Sequence, residues 1–262
     1  MSEPQIRFDD GAFYERMMGV WSRLAGEVFL DWLAPAPGLR WIDVGCGNGA
    51  FTELVVERCS PAAVDAVDPS EGQLAFARTR PAARVAAFIQ GDAMTLPYPP
   101  ASFDLATMAL VIFFVPDPAK GVAEMARVLR PGGQAAAYAW DMFGGGFPWT
   151  PVQQEIIALG HKVVYPPSAD ASRVEVMHNL WEKAGFVGVE TRAISVRRTF
   201  ESVDEFLSIG LYTPSIGPIV RGMPGEEVEQ LKARLRARLK PDAAGRVTLS
   251  ARANAVKGRL PR

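Results

Sequence analysis

Three alternating glycines, Gly45, Gly47 and Gly49, follow an apolar run at 39–44 and precede a segment with helical spacing that starts at Ala50. Glycine has no Cβ and takes positive φ without strain, so such a turn lets backbone amides approach a ligand closely. Two carboxylates occupy matching places further on. Asp68 opens Asp68-Pro69-Ser70 after the apolar run 63–67, and Asp92 stands in Gly91-Asp92-Ala93 after the run 86–90. The first can accept both hydroxyls of a ribose, a charge-assisted pairing stronger than neutral hydrogen bonds. The second can accept the amino group of an adenine, with the Ala93 amide facing a ring nitrogen and Met94 or Leu96 covering the ring. This is chemistry for holding an adenosine-bearing cofactor. The glycines alone leave a choice, because Gly45-x-Gly47-x-x-Ala50 also satisfies a loose dinucleotide fingerprint with a pyrophosphate on the helix N-terminus.

The elements that must position these groups alternate. Strands are expected at 39–44, 63–67, 86–90, 103–110 and 134–140, with helices at about 50–58, 71–80 and 118–129 between them, a pattern that specifies a parallel, doubly wound sheet. A helical stretch at 11–33, with Phe13, Met17, Met18, Trp21, Leu24, Val28, Phe29 and Leu33 broadly at helical spacing, precedes the first strand. After Trp140 the chain departs from the alternation. A Gly- and Pro-rich loop, a helix near 152–164 and the Pro166-Pro167 break lead to a helix that Ser172 is expected to cap and Gly185 to stop. An outer antiparallel strand is expected at 188–197 and another at about 246–256, separated by a helix after Ser202, a Gly- and Pro-rich stretch at 213–225 and a helix at 226–239.

The ordered set Asp43-Val-Gly-Cys-Gly-Asn-Gly49, Gly91-Asp92-Ala93, Ser102-Phe-Asp104 and Leu129-Arg-Pro-Gly-Gly133 resembles the class I S-adenosylmethionine-dependent methyltransferases. It is most similar to the branch that holds the ubiquinone and menaquinone C-methylases and many small-molecule methylases. The resemblance is tight over 39–138 and loose over 179–196. It implies an α/β Rossmann-like sheet of seven strands in the order 3-2-1-4-5-7-6, with strand 7 antiparallel. One methyltransferase domain would then fill 1–262, with a helical cap at 1–38, a cofactor-binding core at 39–140 and cap insertions at 141–171 and 199–245.

The implied cofactor is S-adenosylmethionine, held by Asp43, Gly45, Cys46, Gly47, Asn48, Gly49, Asp68, Pro69, Asp92, Ala93, Met94 and Ala109. Asp43 would orient the loop and the cofactor ammonium, directly or through water. A sulfonium makes its methyl group electrophilic already, so the enzyme's task is mainly to align the acceptor and exclude water. Aromatic faces near the cation would favour it. Tyr14 and Trp21 are the first candidates for that contact, with Phe113 and Trp140 beside them. A base is needed only if the accepting atom holds a proton that must leave; His161, Tyr138 and Asp141 are the candidates, with His178, Tyr165 and Tyr212 as further polar groups near the cap. Related sequences often carry a histidine pair after the fourth strand, where this chain reads Val111-Ile-Phe-Phe-Val115. The wall there is greasier, and an Asn/Asp-Pro-Pro-aromatic signature of amino-methylating enzymes is absent from that position.

Composition agrees with a soluble, cytoplasmic enzyme. The 262 residues carry a formal net charge of −1 and 48% hydrophobic content, enough for a full core. No apolar run reaches membrane-spanning length, and no signal-peptide pattern opens the chain. The two cysteines, Cys46 and Cys59, are expected to stay reduced, and the two histidines lie far apart without a cysteine motif, so no metal is implied. The basic run from Lys232 to Lys240 reads as the solvated face of an amphipathic helix rather than a nucleic-acid surface, since Val228, Leu231, Leu235 and Leu239 share one face. The expected partner is a small, partly apolar methyl acceptor. The alternative is a protein that binds the cofactor without transferring the methyl group and serves as a regulatory or interaction module.

Overall fold

Short apolar runs rich in Ala, Val and Ile, each followed by an amphipathic helix, cannot bury both faces alone; they do so by pairing in parallel with helices laid over them. The computed structural model describes residues 15–262. A π-helical turn, Glu15–Gly19, runs into α1 (Val20–Leu33). Then follow β1 (Arg40–Val44), α2 (Ala50–Cys59), β2 (Ala63–Asp68), α3 (Glu71–Ala77), β3 (Ala86–Gln90), β4 (Phe103–Ala109), α4 (Pro118–Val128) and β5 (Leu129–Trp140). The second half holds α5 (Thr150–Ala158), α6 (Val174–Lys183), β6 (Val187–Phe200), α7 (Val203–Gly210), α8 (Gly217–Gly222), α9 (Gly225–Arg238) and β7 (Val247–Arg259).

The strands form one sheet in the order β3-β2-β1-β4-β5-β7-β6, as expected. Strands β1 to β5 run parallel, while β7 is antiparallel to both β5 and β6. β1 pairs with β2 on one side and β4 on the other. The chain's direction of progress reverses there, which opens a crevice at the C-terminal ends of these strands. The glycine loop leaves β1 and the segment 110–115 leaves β4 on the two sides of that crevice.

Two aromatic clusters brace it. Beneath, Tyr138 of β5 packs against Phe29 of α1 at 4.7 Å between ring centroids and against Phe51 of α2 at 5.8 Å. Above, Trp149, Phe200 and Phe206 meet at 5.3 to 6.2 Å, and Trp21 reaches Phe200 at 6.4 Å, joining α1, β6, α7 and the start of α5. α1, α5 and α7 are thus tied to the sheet by rings whose burial stabilises each by about 1.5–3 kcal/mol for a Phe-sized side chain.

Several expected boundaries move. β6 and β7 are longer than 188–197 and 246–256, because each continues to pair with the other up to Phe200↔Val247 and Val187↔Arg259. The helix expected at 152–164 stops at Ala158, and a short helix, α8, lies in the Gly- and Pro-rich stretch 213–225. Ser172 does not cap α6: the residue at that position is Arg173, and the Ser172 hydroxyl instead donates to the Ala169 carbonyl at 2.7 Å and accepts from the Met142 amide. Ser202 does cap α7, accepting from the Glu205 amide at 3.0 Å. On α9, Arg234 and Arg238 pair with Glu155, Arg236 with Asp204 and Lys232 with Glu229, so these cations of the basic run are neutralised within the chain.

Candidate functional site

The glycine loop leaves β1 with φ of +77° at Gly45, +53° at Gly47 and +79° at Gly49, the left-handed region in which side chains with a Cβ are strained. Each glycine has a different surrounding. A Cβ at Gly45 would strike Val111, one at Gly49 would press on Ala77 and Phe88, and the space beside Gly47 is open. Asp68, at the end of β2, ties the loop down: its Oδ2 accepts from the Gly47 amide at 2.8 Å and its Oδ1 from the Ser70 amide at 2.9 Å. Burial raises the Asp68 pKa above the ordinary value, against the pull of those two amides. Its carboxylate therefore lies beside the open face of Gly47 with acceptor capacity left over for a ribose. An empty space where a Cβ would go, flanked by a fixed carboxylate, fits an adenosine ligand.

Asp43 is fully buried, accepting from Thr52 Oγ1 at 2.7 Å and from Thr107 Oγ1 at 3.4 Å. Desolvation pushes its carboxyl up to about 7 in spite of those hydroxyls. The arrangement places Asp43 under the loop as a buttress between β1, α2 and β4. Cys46 is also buried, and desolvation first, then the nearby Asp43 and Asp68, push its thiol well above the usual range. Such a thiol stays protonated and is no nucleophile at neutral pH. Cys46 and Cys59 are both free.

Asn48 is buried and bridges elements, its Nδ2 donating to Glu15 Oε2 at 3.0 Å and its Oδ1 accepting from the Ala50 amide at 3.2 Å. Pro69 sits at the exit of β2, where its carbonyl accepts from Gln90 Nε2 at 3.1 Å. At the exit of β3, Asp92 is exposed and folds its Oδ1 onto the Met94 amide at 2.7 Å, with Ala93 and Met94 half-buried and Leu96 in the core. Ala109 ends β4 half-buried. These residues gather at one edge of the sheet, on three neighbouring strand ends and the loop of a fourth.

On the other side of the β4 end lies an apolar cavity of about 50 Å³. Met17, Met18, Phe113, Trp140, Phe147 and Trp149 line it, together with Gln153 and Thr213. Leu110, also in the wall, takes φ +63° while its amide bonds the Tyr138 carbonyl at 2.8 Å. That bend at a strand end turns Val111 toward Gly45 and Leu110 toward the cavity. The Thr213 hydroxyl and the Trp140 indole N–H are buried without a hydrogen-bond partner. Among the described residues that line it there is no acid, base or cysteine.

The candidate bases are elsewhere. Tyr138 is fully buried among Phe29 and Phe51, and its hydroxyl donates to the Ser22 carbonyl at 3.5 Å. Asp141 is ion-paired with Arg252 and accepts from the Gly144 amide at 2.8 Å. His161 pairs with Glu227 at 2.9 Å, and His178 lies beside Glu182 on α6. Tyr165 stacks on Phe143 near the surface, and Tyr212 is more than half exposed. None of the six lines the cavity. Of the aromatic candidates, Phe113 and Trp140 do line it; Trp21 is enclosed beside Phe200, and Tyr14 lies outside the described residues. Met17, Met18, Trp149, Gln153 and Thr213 carry no local motif that marks them as a site, and only the tertiary fold brings them together.

Among the described residues no group of three or more His, Cys, Asp or Glu could hold a metal ion, and no helix is long and apolar enough to cross a membrane. Residues 42–137 match the family model described as a methyltransferase domain. The chain is 30% identical over 200 residues to the ubiquinone/menaquinone biosynthesis C-methyltransferase UbiE of Cereibacter sphaeroides, covering 69% of this chain and 79% of that one. It is 42% identical over 97 residues to 2-methyl-6-phytyl-1,4-hydroquinone methyltransferase 2 of rice, covering 37% of this chain and only 28% of that enzyme's length. Among solved structures, phosphoethanolamine N-methyltransferase 2 of Haemonchus contortus, in complex with phosphomonomethylethanolamine and S-adenosylhomocysteine, superposes with a TM-score of 0.61 at 18% identity over 98% of this chain and 59% of that one. That likeness bears on the fold. With the glycine loop, the strand order and the UbiE relationship taken together, the chain belongs to the class I S-adenosylmethionine-dependent methyltransferases of the quinone C-methylase type.

Proposed function

We propose that the protein transfers a methyl group from S-adenosylmethionine to an oxygen, nitrogen or carbon atom of a small, partly apolar acceptor. The observation that carries this reading is the adjacency of two unlike sites at one sheet edge. A glycine loop with an anchored carboxylate stands on the β1 side, and an apolar cavity stands on the β4 side. When bound, the cofactor supplies an electrophilic methyl group. Asp68 holds the ribose hydroxyls, Gly47 admits the cofactor against its backbone, and Asp92 with Met94 takes the adenine. Asp43 fixes the loop from below and orients the cofactor ammonium, directly or through water.

On the acceptor side the chain contributes orientation and dryness. Met, Phe and Trp side chains exclude water, and the Thr213 hydroxyl and the Trp140 N–H offer neutral donors to an acceptor oxygen. With no titratable side chain among the described cavity residues, the accepting atom is one that arrives already nucleophilic, such as a phenolate oxygen; at the electron-rich carbon beside it, the sulfur–methyl bond breaks as the carbon–methyl bond forms and the ring C–H proton then leaves to water. The cavity is small against the several hundred Å³ of a drug-sized site, which favours a single compact ring as the acceptor group.

The test is calorimetric titration with S-adenosylmethionine, S-adenosylhomocysteine and NAD(H), followed by transfer of a labelled methyl group to a panel of phenols, naphthols and hydroquinones. Micromolar binding of the first two alone, with label appearing in an aromatic acceptor, supports the reading. Binding with no transfer to any acceptor favours the catalytically silent alternative, and binding of NAD(H) alone refutes both.

A further inference from the structure

The π-helical turn Glu15–Gly19 touches both sites at once. Its acid reaches the glycine loop. Glu15 Oε2 accepts from Asn48 Nδ2 at 3.0 Å and from Arg80 Nη2 at 2.5 Å. Arg80 also donates through Nε to the Asn48 carbonyl at 2.6 Å and through Nη1 to Glu53 Oε2 at 2.7 Å. The Arg80 side chain is only 12% exposed and its pair with Glu53 is shielded on both sides, while Glu15 is 43% exposed and closes over the arginine from the solvent side. Two residues beyond Glu15 the same turn supplies Met17 and Met18 to the cavity wall, and Met18 Sδ accepts from Trp149 Nε1 at 3.3 Å.

We propose that Glu15 and Arg80 are positioning residues that couple the cofactor loop to the acceptor cavity. The inference rests on the methyl-transfer reading above. Asn48 is gripped at both its side chain and its carbonyl, so a ligand that orders 47–49 also orders Glu15, and through the five-residue turn it orders Met17 and Met18. By reciprocity, whatever fills the cavity tightens the loop. Such coupling would let the acceptor wall form fully only when the cofactor is in place.

Gly19 supplies an independent observation and a clean probe. A Cβ there would lie 2.7 Å from Glu15 Cδ and Oε1, yet the backbone at Gly19 is helical, with φ −54° and ψ −46°. Alanine suits that backbone better than glycine does. Gly19→Ala therefore leaves α1 intact and expels the Glu15 carboxyl from its place, a change that a purely structural role would not register as lost binding.

The experiment titrates S-adenosylhomocysteine into the full-length wild type, Gly19→Ala and Glu15→Ala by calorimetry. In parallel, amide hydrogen exchange is followed over 15–21 and 45–50 with and without that ligand. Wild type is expected to bind and to show slowed exchange in both segments. Both variants are expected to bind about 5- to 30-fold more weakly and to lose the slowing over 15–21, while Gly19→Ala melts no lower than wild type without ligand. Wild-type affinity in Glu15→Ala, or equal slowing over 15–21 in all three proteins, would overturn the coupling. A wild type that fails to bind S-adenosylhomocysteine overturns the cofactor reading itself, a separate result.

Discussion

Val111 closes directly on Gly45: a Cβ at Gly45 would stand 2.4 Å from Val111 Cγ1, and Gly45 has φ +77°. Gly47, two residues on, has φ +53° and open space beside it. The two glycines should therefore separate folding from binding. Gly45→Ala is expected to cost about 2–4 kcal/mol of stability, from the left-handed backbone and the displaced valine together. Gly47→Ala should cost only about 1 kcal/mol and yet abolish S-adenosylhomocysteine binding. Denaturant unfolding and calorimetry on both variants decide this, and equal stabilities would contradict the packing argument.

Asp68 has two duties, one to the loop and one to the ligand. Asp68→Ala frees the Gly47 amide and removes the partner for ribose, and the affinity for S-adenosylhomocysteine should fall at least about 100-fold. Asp68→Asn keeps one acceptor oxygen and should fall by less. Unchanged binding enthalpy and affinity in the alanine variant would rule out this role.

Asp43 makes stability depend on pH in a definite direction. Its folded pKa is pushed up to about 7, above the ordinary aspartate value, so the folded state holds a proton that the unfolded chain releases. This contribution is full below about pH 4 and is lost as pH rises to about 7, an effect of about 4 kcal/mol at most. Asp43→Asn carries no such charge. Its stability relative to wild type should improve between pH 5 and pH 7.5 when both are unfolded in urea, and parallel profiles would show that Asp43 is ionised in the fold.

Thr213 keeps a buried hydroxyl without a partner. Thr213→Val has nearly the same shape and should leave the fold as stable or up to about 1 kcal/mol more so. The same change should weaken 1-naphthol more than naphthalene, read by quenching of the cavity tryptophans Trp140 and Trp149. A variant that melts several degrees lower would mean that the hydroxyl serves the fold instead.

The sheet order and the glycine turn were legible in sequence because their determinants are local. Gly45, Gly47 and Gly49 are demanded by the backbone itself, Asp68 and Asp92 stand at the ends of apolar runs, and the strand and helix periods between them admit few arrangements. Local rules also explain Ser202 at the start of α7. They failed at Ser172, whose hydroxyl found the Met142 amide and the Ala169 carbonyl across the chain rather than the helix beside it.

The apolar cavity was decided by tertiary structure. Tyr138, Asp141 and His161 had plausible chemistry in sequence, but ring packing took the first, Arg252 the second and Glu227 the third. Met17, Trp140, Trp149 and Thr213 are separated by up to nearly two hundred positions and meet only because distant segments pack together beside the β4 end. A cavity is the space that packing leaves between distant side chains, and no spacing along one chain encodes it; a glycine turn is a property of the few residues that form it.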